Sequence, residues 1–186
     1  LNLAAQLGAV HSIATLVSGG ASPNLENKQG YTPLQLALEN NQVDAVEALL
    51  KAGADAEFVN GVGETCLMTC AKRAEMTPGI IALLNAGAKP DTESSKLKTT
   101  ALICAASNGV DVNVAALVAG GADVDYETVE GVTALVAAVR KNHPSVVSLL
   151  LDRGANVDKE DTVKGITPLK AAVEDDNVAM VELLIK

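Results

Sequence analysis

Apolar residues recur along the chain in columns that share one step. Leu16, Leu49, Leu83, Leu117, Leu150 and Leu184 form one column, and Ile13, Val46, Ile80, Val114, Val147 and Val181 stand three residues before them. An i, i+3 pair marks one face of a helix. A further column, Leu1, Leu34, Leu67, Leu102, Leu135 and Leu169, precedes by three residues the small residues Ala4, Ala37, Cys70, Ala105, Ala138 and Ala172. This predicts another helix in each period, slim enough for close stacking.

Punctuation falls in phase with these columns. Gly-Ala pairs at Gly20-Ala21, Gly53-Ala54, Gly87-Ala88, Gly121-Ala122 and Gly154-Ala155 are spaced by 33, 34, 34 and 33 residues and close the second helix of each unit. The first helix is announced by Thr32-Pro33-Leu34, Thr65-Cys66-Leu67, Thr100-Ala101-Leu102, Thr133-Ala134-Leu135 and Thr167-Pro168-Leu169, where Thr can cap and Pro suits the first helical position. Between them lie ten or eleven residues rich in Asp, Asn, Gly and Glu, which predict a projecting turn or hairpin, a finger. Such a period is the mark of a stacked repeat protein, whose function resides in a surface assembled from equivalent positions. The units run approximately over 1–25, 26–58, 59–92, 93–126, 127–159 and 160–186, in a single array.

Gly30-Tyr31-Thr32-Pro33-Leu34-Gln35-Leu36-Ala37, closing at Leu49-Leu50-Lys51-Ala52-Gly53-Ala54-Asp55, resembles the ankyrin repeat, as does Gly165-Ile166-Thr167-Pro168-Leu169-Lys170-Ala171-Ala172. The resemblance covers the whole chain as about six units. It implies an all-α repeat fold, a solenoid of stacked helix-turn-helix units with projecting loops, and protein binding through the finger tips and the concave face of the first helices. Several positions depart from the family pattern. Its usual His after Thr-Pro-Leu is replaced by Gln35, Met68, Ile103, Val136 and Lys170, so the hydrogen bonds of that His must come from elsewhere. Lys98 stands where the finger Gly is expected, and an extra residue precedes the second helix of the third unit, where Thr77-Pro78 reads as cap and first helical residue. Leu1-Asn2-Leu3-Ala4-Ala5 begins inside a first helix and Leu183-Leu184-Ile185-Lys186 stops before a Gly-Ala, so a fragment of a longer protein is expected.

Composition narrows the partners. Net charge is −9, which repels a nucleic-acid duplex or an anionic membrane surface, and aromatics make up only 2%, too few for a stacking track along a single strand. No run reaches the roughly 18 apolar residues that a membrane span needs. Three cysteines without metal-ligand spacing suggest a reducing compartment and an intracellular protein, cytoplasmic or nuclear. Cys66 and Cys70 are four residues apart and invite a metal or redox reading, but Cys70 stands in the small-residue column and Cys66 replaces Pro, so both read as packing. His11 and His143 lie in non-adjacent units and read as structural or surface. No nucleophile motif, phosphate loop or glycine fingerprint occurs, so neither an enzyme nor a cofactor or metal is expected in this stretch.

Register then locates a candidate binding surface. The residues after the small pair of each first helix are Gln6-Leu7, Glu39-Asn40, Lys72-Arg73, Ser107-Asn108, Arg140-Lys141 and Glu174-Asp175, so two basic pairs interrupt an acidic chain. The five fingers carry net charges of 0, −3, +1, −4 and −1, which places most of the acidity on them. All three aromatics, Tyr31, Phe58 and Tyr126, lie in fingers, and Phe58 and Tyr126 share a column. Two placements follow. In one, a basic-apolar segment of a partner protein lies along the second and fourth fingers, steered by acids such as Glu64, Glu127 and Glu130 and anchored by Phe58 and Tyr126. In the other, Lys72, Arg73, Arg140 and Lys141 hold an acidic partner in the concave face. The expected function is a non-enzymatic interaction scaffold; a regulatory or tethering array of a larger channel or enzyme, and a structural subunit of a large assembly, are the alternatives.

Overall fold

Each Thr of the Thr-x-Leu triplets does what its position requires. The side chains of Thr32, Thr65, Thr100, Thr133 and Thr167 accept the backbone N–H groups of Gln35, Met68, Ile103, Val136 and Lys170, satisfying a donor that the first helical turn would leave unpaired. The computed structural model describes residues 1–185 and contains twelve α-helices. The first helices of the units are α1 (Asn2–Gln6), α3 (Pro33–Glu39), α5 (Cys66–Ala71), α7 (Ala101–Ser107), α9 (Ala134–Arg140) and α11 (Pro168–Glu174). The second helices are α2 (Val10–Ser18), α4 (Val43–Lys51), α6 (Thr77–Asn85), α8 (Asp111–Ala119), α10 (Pro144–Asp152) and α12 (Val178–Leu184). Odd-numbered helices stack on odd ones and even on even, which makes an all-α solenoid of two helical layers. Among the described residues there is no strand, and the second finger carries an isolated β-bridge between Val59 and Thr65.

The Gly-Ala pairs close the second helices. Gly20, Gly53, Gly87, Gly121 and Gly154 adopt φ between +86° and +94°, a region that L side chains rarely enter. The N–H of each following Ala then returns to the carbonyl of Leu16, Leu49, Leu83, Leu117 or Leu150 at 2.9–3.0 Å. The Leu column therefore both packs the core and ends the helix. It is buried from Leu49 onward, whereas Leu16, with no helix stacked on the outer side of α2, is 41% exposed. In the first-helix column it is Leu169, in the last unit, that is exposed.

The missing His has polar substitutes in two units, one of them Lys170, whose Nζ donates to the carbonyl of Gly165 in its own finger at 2.7 Å. Gln35 Oε1 accepts the N–H of Thr32 at 3.2 Å and completes a capping box, while its Nε2 is buried without a partner among the described residues. Met68, Ile103 and Val136 bury apolar side chains at the same column, so those units rely on the Thr cap.

The third unit is built differently. Every other first helix is followed by a residue in the left-handed region, Gly8, Asn41, Gly109, Asn142 or Asp176, with φ of +50° to +69°. After α5 the chain instead passes through Lys72 at φ −81° and Arg73 at φ −136° into a 3-10 turn, Ala74–Met76, which absorbs the extra residue. The carbonyls left open there are met from the next unit. Asn113 of α8, wholly buried, points Nδ2 at the carbonyls of Cys70, Ala71 and Arg73 at 3.2, 3.1 and 2.8 Å. Thr77, expected as the cap of α6, is its first helical residue, and Met76 takes the cap position. The Thr77 hydroxyl lies 2.6 Å from Asn113 Oδ1 and completes the network.

Candidate functional site

The fingers are the variable part of the fold, and each is pinned from within. Asn27, Asn60, Ser94, Thr128 and Asp161 recur at the repeat period, and each side chain accepts backbone N–H groups of its own turn. The sequence reading missed this column because five residues share four side-chain types; the constant feature is a short oxygen acceptor. At Asp161 burial opposes the charge, yet the N–H groups of Lys164, Ile166 and Val163 hold the carboxyl below the usual aspartate range. Lys98 does adopt the finger-Gly conformation, at φ +50°.

Neighbouring fingers are tied by a second set of acceptors. Asn24 accepts the N–H of Asp55 at 2.7 Å, Glu57 that of Lys89 at 2.8 Å, Asp91 that of Asp123 at 3.1 Å, and Asp125 that of Asn156 at 2.9 Å. Glu57 also accepts from Thr92 Oγ, and Glu93 from the N–H of Val129. Glu127 accepts from both the side chain and the backbone of Thr162, which hold its carboxyl below the usual range. Burial pushes the Asp91 carboxyl upward. Much of the acidity in the fingers is thus engaged in holding one unit to the next.

The expected site residues separate accordingly. Phe58, read as an exposed ring, is half-buried and packs against the core, and its carbonyl accepts from Cys66 Sγ at 3.7 Å. Tyr126 is half-buried, with its hydroxyl 3.3 Å from a Glu93 carboxylate oxygen in the preceding finger. Tyr31 is half-buried and donates its N–H to Asn27 Oδ1. Glu64 and Lys72, assigned to rival placements, form an ion pair. Arg73 reaches across to the carbonyl of Glu39 at 3.4 Å, and Arg140 pairs with Glu174 at 2.9 Å. Lys141 and Glu130 are exposed. Glu39, Glu64, Thr69, Lys72 and Arg73 line one groove between the ends of α3 and α5 and the second finger. Burial raises the Glu39 carboxyl there, against the pull of Arg73. Surface pairs of this kind contribute about 0–1 kcal/mol each, so a partner's charges can replace them.

The buried cysteines carry no site geometry. Burial pushes the Cys66 thiol up to about 12 and raises Cys70 and Cys104 as well, so all three stay protonated at neutral pH. Among the described residues no three His, Cys, Asp or Glu side chains gather as metal ligands. His143 spans two units, with Nε2 3.1 Å from the carbonyl of Ser107, and His11 is exposed. No described helix is long and apolar enough to cross a membrane.

Comparison with known proteins agrees with this geometry. A family model for ankyrin repeats, in three copies, matches residues 1–94 and 67–161. An ankyrin repeat protein of fowlpox virus (strain NVSL) is 38% identical over 58 residues, 31% of this chain and 13% of that protein. An ankyrin repeat-containing protein of Schizosaccharomyces pombe is 31% identical over 70 residues, 38% of this chain and 34% of that protein. The chain therefore matches only a minor part of these relatives' length. The crystal structure of an ankyrin repeat domain from Acinetobacter baumannii AYE superposes with a TM-score of 0.86 at 28% identity, covering 99% of this chain and 95% of that one. A chain in the structure of the Bd0816 predatory endopeptidase from Bdellovibrio bacteriovorus in complex with immunity protein Bd3460 gives a TM-score of 0.80 at 27% identity, covering 99% and 95%. Ankyrin repeats are general protein–protein interaction modules and are typically non-catalytic. This chain belongs to the ankyrin repeat family.

Proposed function

We propose that this array is a non-enzymatic scaffold that binds a partner protein through the exposed ends of its first helices and its finger tips. The observation that carries the reading is the ladder of acceptors Asn24, Glu57, Asp91 and Asp125, each taking an N–H from the next finger. A surface ordered before the partner arrives avoids much of the entropic cost of binding. Free, buried cysteines fit a reducing, intracellular setting.

Of the two placements, the concave one is the better supported. Phe58 is used by the core, and Glu57, Asp125 and Glu127 already accept backbone N–H groups, so an acidic finger edge has little left with which to steer a basic segment. Lys141 is exposed, and Lys72, Arg73 and Arg140 are held only by exchangeable surface contacts. Two variants separate the placements: Lys72→Glu/Arg73→Glu/Arg140→Glu/Lys141→Glu and Phe58→Ala/Tyr126→Ala. Partner capture should fail for the charge reversal; failure for the ring variant alone, with its melting transition unchanged, would favour the finger edge.

A further inference from the structure

The second helices turn one stripe to the outside, at positions i, i+3 and i+7 of a single helical face. In α4 the stripe is charged, with Asp44, Glu47 and Lys51 exposed. The same columns lose charge altogether in the next two units, where they hold Pro78, Ile81 and Asn85 in α6 and Val112, Ala115 and Ala119 in α8. From Met76 to Ala88 and from Val112 to Ala122 no residue is charged, in a chain that carries −9. Ile81 is 49% exposed and Val112 51%. Because α6 stacks on α8, with α4 and α10 on either side, these side chains form one apolar surface with charged borders.

Folding makes no use of this surface. α6 and α8 meet the core through Ile80, Leu83, Val114 and Leu117, which are wholly buried on their inner side. A helix apolar on all sides belongs in an interior, and a contiguous exposed apolar patch marks a contact surface. Beside the patch, between α4 and α6, a groove of about 440 Å³ is lined by Glu47, Leu50, Lys51, Ala82, Asn85 and Ala86. It has room for an aliphatic side chain.

The borders select a second copy of this chain as the occupant. Asp44 lies in the first turn of α4 and Lys51 in its last. Half a turn about an axis along the stack lays each second helix antiparallel on its own copy, so Asp44 of one chain meets Lys51 of the other, twice. The same rotation sets Ser145 against Asp152 and Val112 against Ala119, brings Ile81 to the edge of the groove, and opposes no like charges. Within one chain Lys51 pairs only with Glu47, at 3.6 Å and with both side chains exposed, so it is free to exchange partners. A parallel arrangement pairs Lys51 with Asp152 instead, but it aligns the helix dipoles and leaves Asp44 and Glu47 without a cation.

Area sets the strength of the contact. Nine-residue helices are about 13 Å long and lie about 8–10 Å apart, so four of them offer about 500 Å² per copy and about 1,000 Å² in all, the lower bound for a specific interface and the range of reversible dimers.

We propose that two copies of this chain pair back to back through α6 and α8 in a reversible antiparallel dimer, closed by Asp44–Lys51 ion pairs on each side. The fingers and the ends of the first helices stay free in such a pair, so the dimer offers two equal binding faces and gains avidity toward a partner that is itself paired. The inference does not depend on what those faces bind.

The test is sedimentation of the whole chain over a concentration range of about 1 to about 300 μM, where a contact of this area associates. The mass should rise from one chain to two. Ile81→Lys/Val112→Lys changes two exposed side chains and should remain monomeric with its melting transition unchanged; Lys51→Asp, wholly on the surface, should weaken the dimer at least tenfold whether or not the first variant folds. Asp44→Lys/Lys51→Asp restores the ion pairs with their signs exchanged and should recover most of that loss. A chain that stays monomeric throughout, a dimer that Ile81→Lys/Val112→Lys leaves intact, or a double exchange no better than Lys51→Asp alone would overturn the proposal. A monomer that sediments with phosphatidylcholine vesicles, and no longer does so after Ile81→Lys/Val112→Lys, would overturn it in favour of a membrane surface.

Discussion

Asn113 on α8 donates to the carbonyl of Arg73, 2.8 Å away and 40 residues earlier in the chain. This bond and its companions to Cys70 and Ala71 replace the left-handed turn that closes the other first helices. Replacing Asn113 by Ala strips partners from these carbonyls and from Thr77 in a buried site, at a cost of about 2–4 kcal/mol. Urea unfolding should report that loss, and hydrogen exchange should place the earliest opening at the loop 72–77. A change below about 0.5 kcal/mol would mean that water satisfies these groups as well as Asn113 does.

Lys98 holds a left-handed conformation that the other fingers assign to Gly30, Gly63, Gly131 and Gly165. A side chain in that region costs about 1–2 kcal/mol, partly offset by the greater freedom of Gly in the unfolded chain. Lys98→Gly should therefore stabilise the array by about 0.5–1 kcal/mol in chemical denaturation. The converse change, Gly63→Ala, should destabilise by more, since φ is +96° and a Cβ there would come within 2.7 Å of Lys96 Cβ.

Acid sensitivity should concentrate at Asp161. Its folded carboxyl is held below the unfolded value of 3.8, so the stability it adds is fully present above that value and is lost as pH falls through the folded one. Asp91 and Glu39, raised by burial, act in the opposite sense, so the difference between the native chain and Asp161→Asn isolates Asp161. Asp161→Asn loses the acceptor of the Ile166 N–H at 2.9 Å and should cost about 1 kcal/mol at pH 7. Denaturation midpoints of the two proteins should converge below about pH 4. Parallel curves down to pH 3 would contradict the assignment.

Glu57 bridges the second and third fingers through the N–H of Lys89 and the hydroxyl of Thr92. Glu57→Ala should cost about 1–2 kcal/mol and broaden unfolding, because coupling between neighbouring units makes a repeat array cooperative. Glu57→Gln keeps an acceptor for Lys89 and should recover most of the loss.

The elements legible in the sequence are those whose chemistry is local. Thr100 caps a donor three residues away and Gly121 turns the chain at its own φ, so each announces its role by identity and position. Asn113 does not, because its partners are 40 to 43 residues distant and its column holds Ala45, Gly79 and Val146 in other units. The finger ladder escaped for the same reason, since Asp91 and Asp123 are 32 residues apart and resemble solvated turn residues until the fingers are seen side by side. Phe58 misled in the opposite direction: its place in a finger suggested exposure, but its ring folds down onto the core.

A binding scaffold of this design must lose its partners when the preordered face is changed without disturbing the stack. The most direct measurement is parallel affinity capture with the native array and with Lys72→Glu/Arg73→Glu/Arg140→Glu/Lys141→Glu, both shown by circular dichroism to melt alike. Recovery of a discrete set of partners by the native chain, lost with the charge-reversed one, is the expected result. Undiminished recovery by the reversed array would contradict binding through this face.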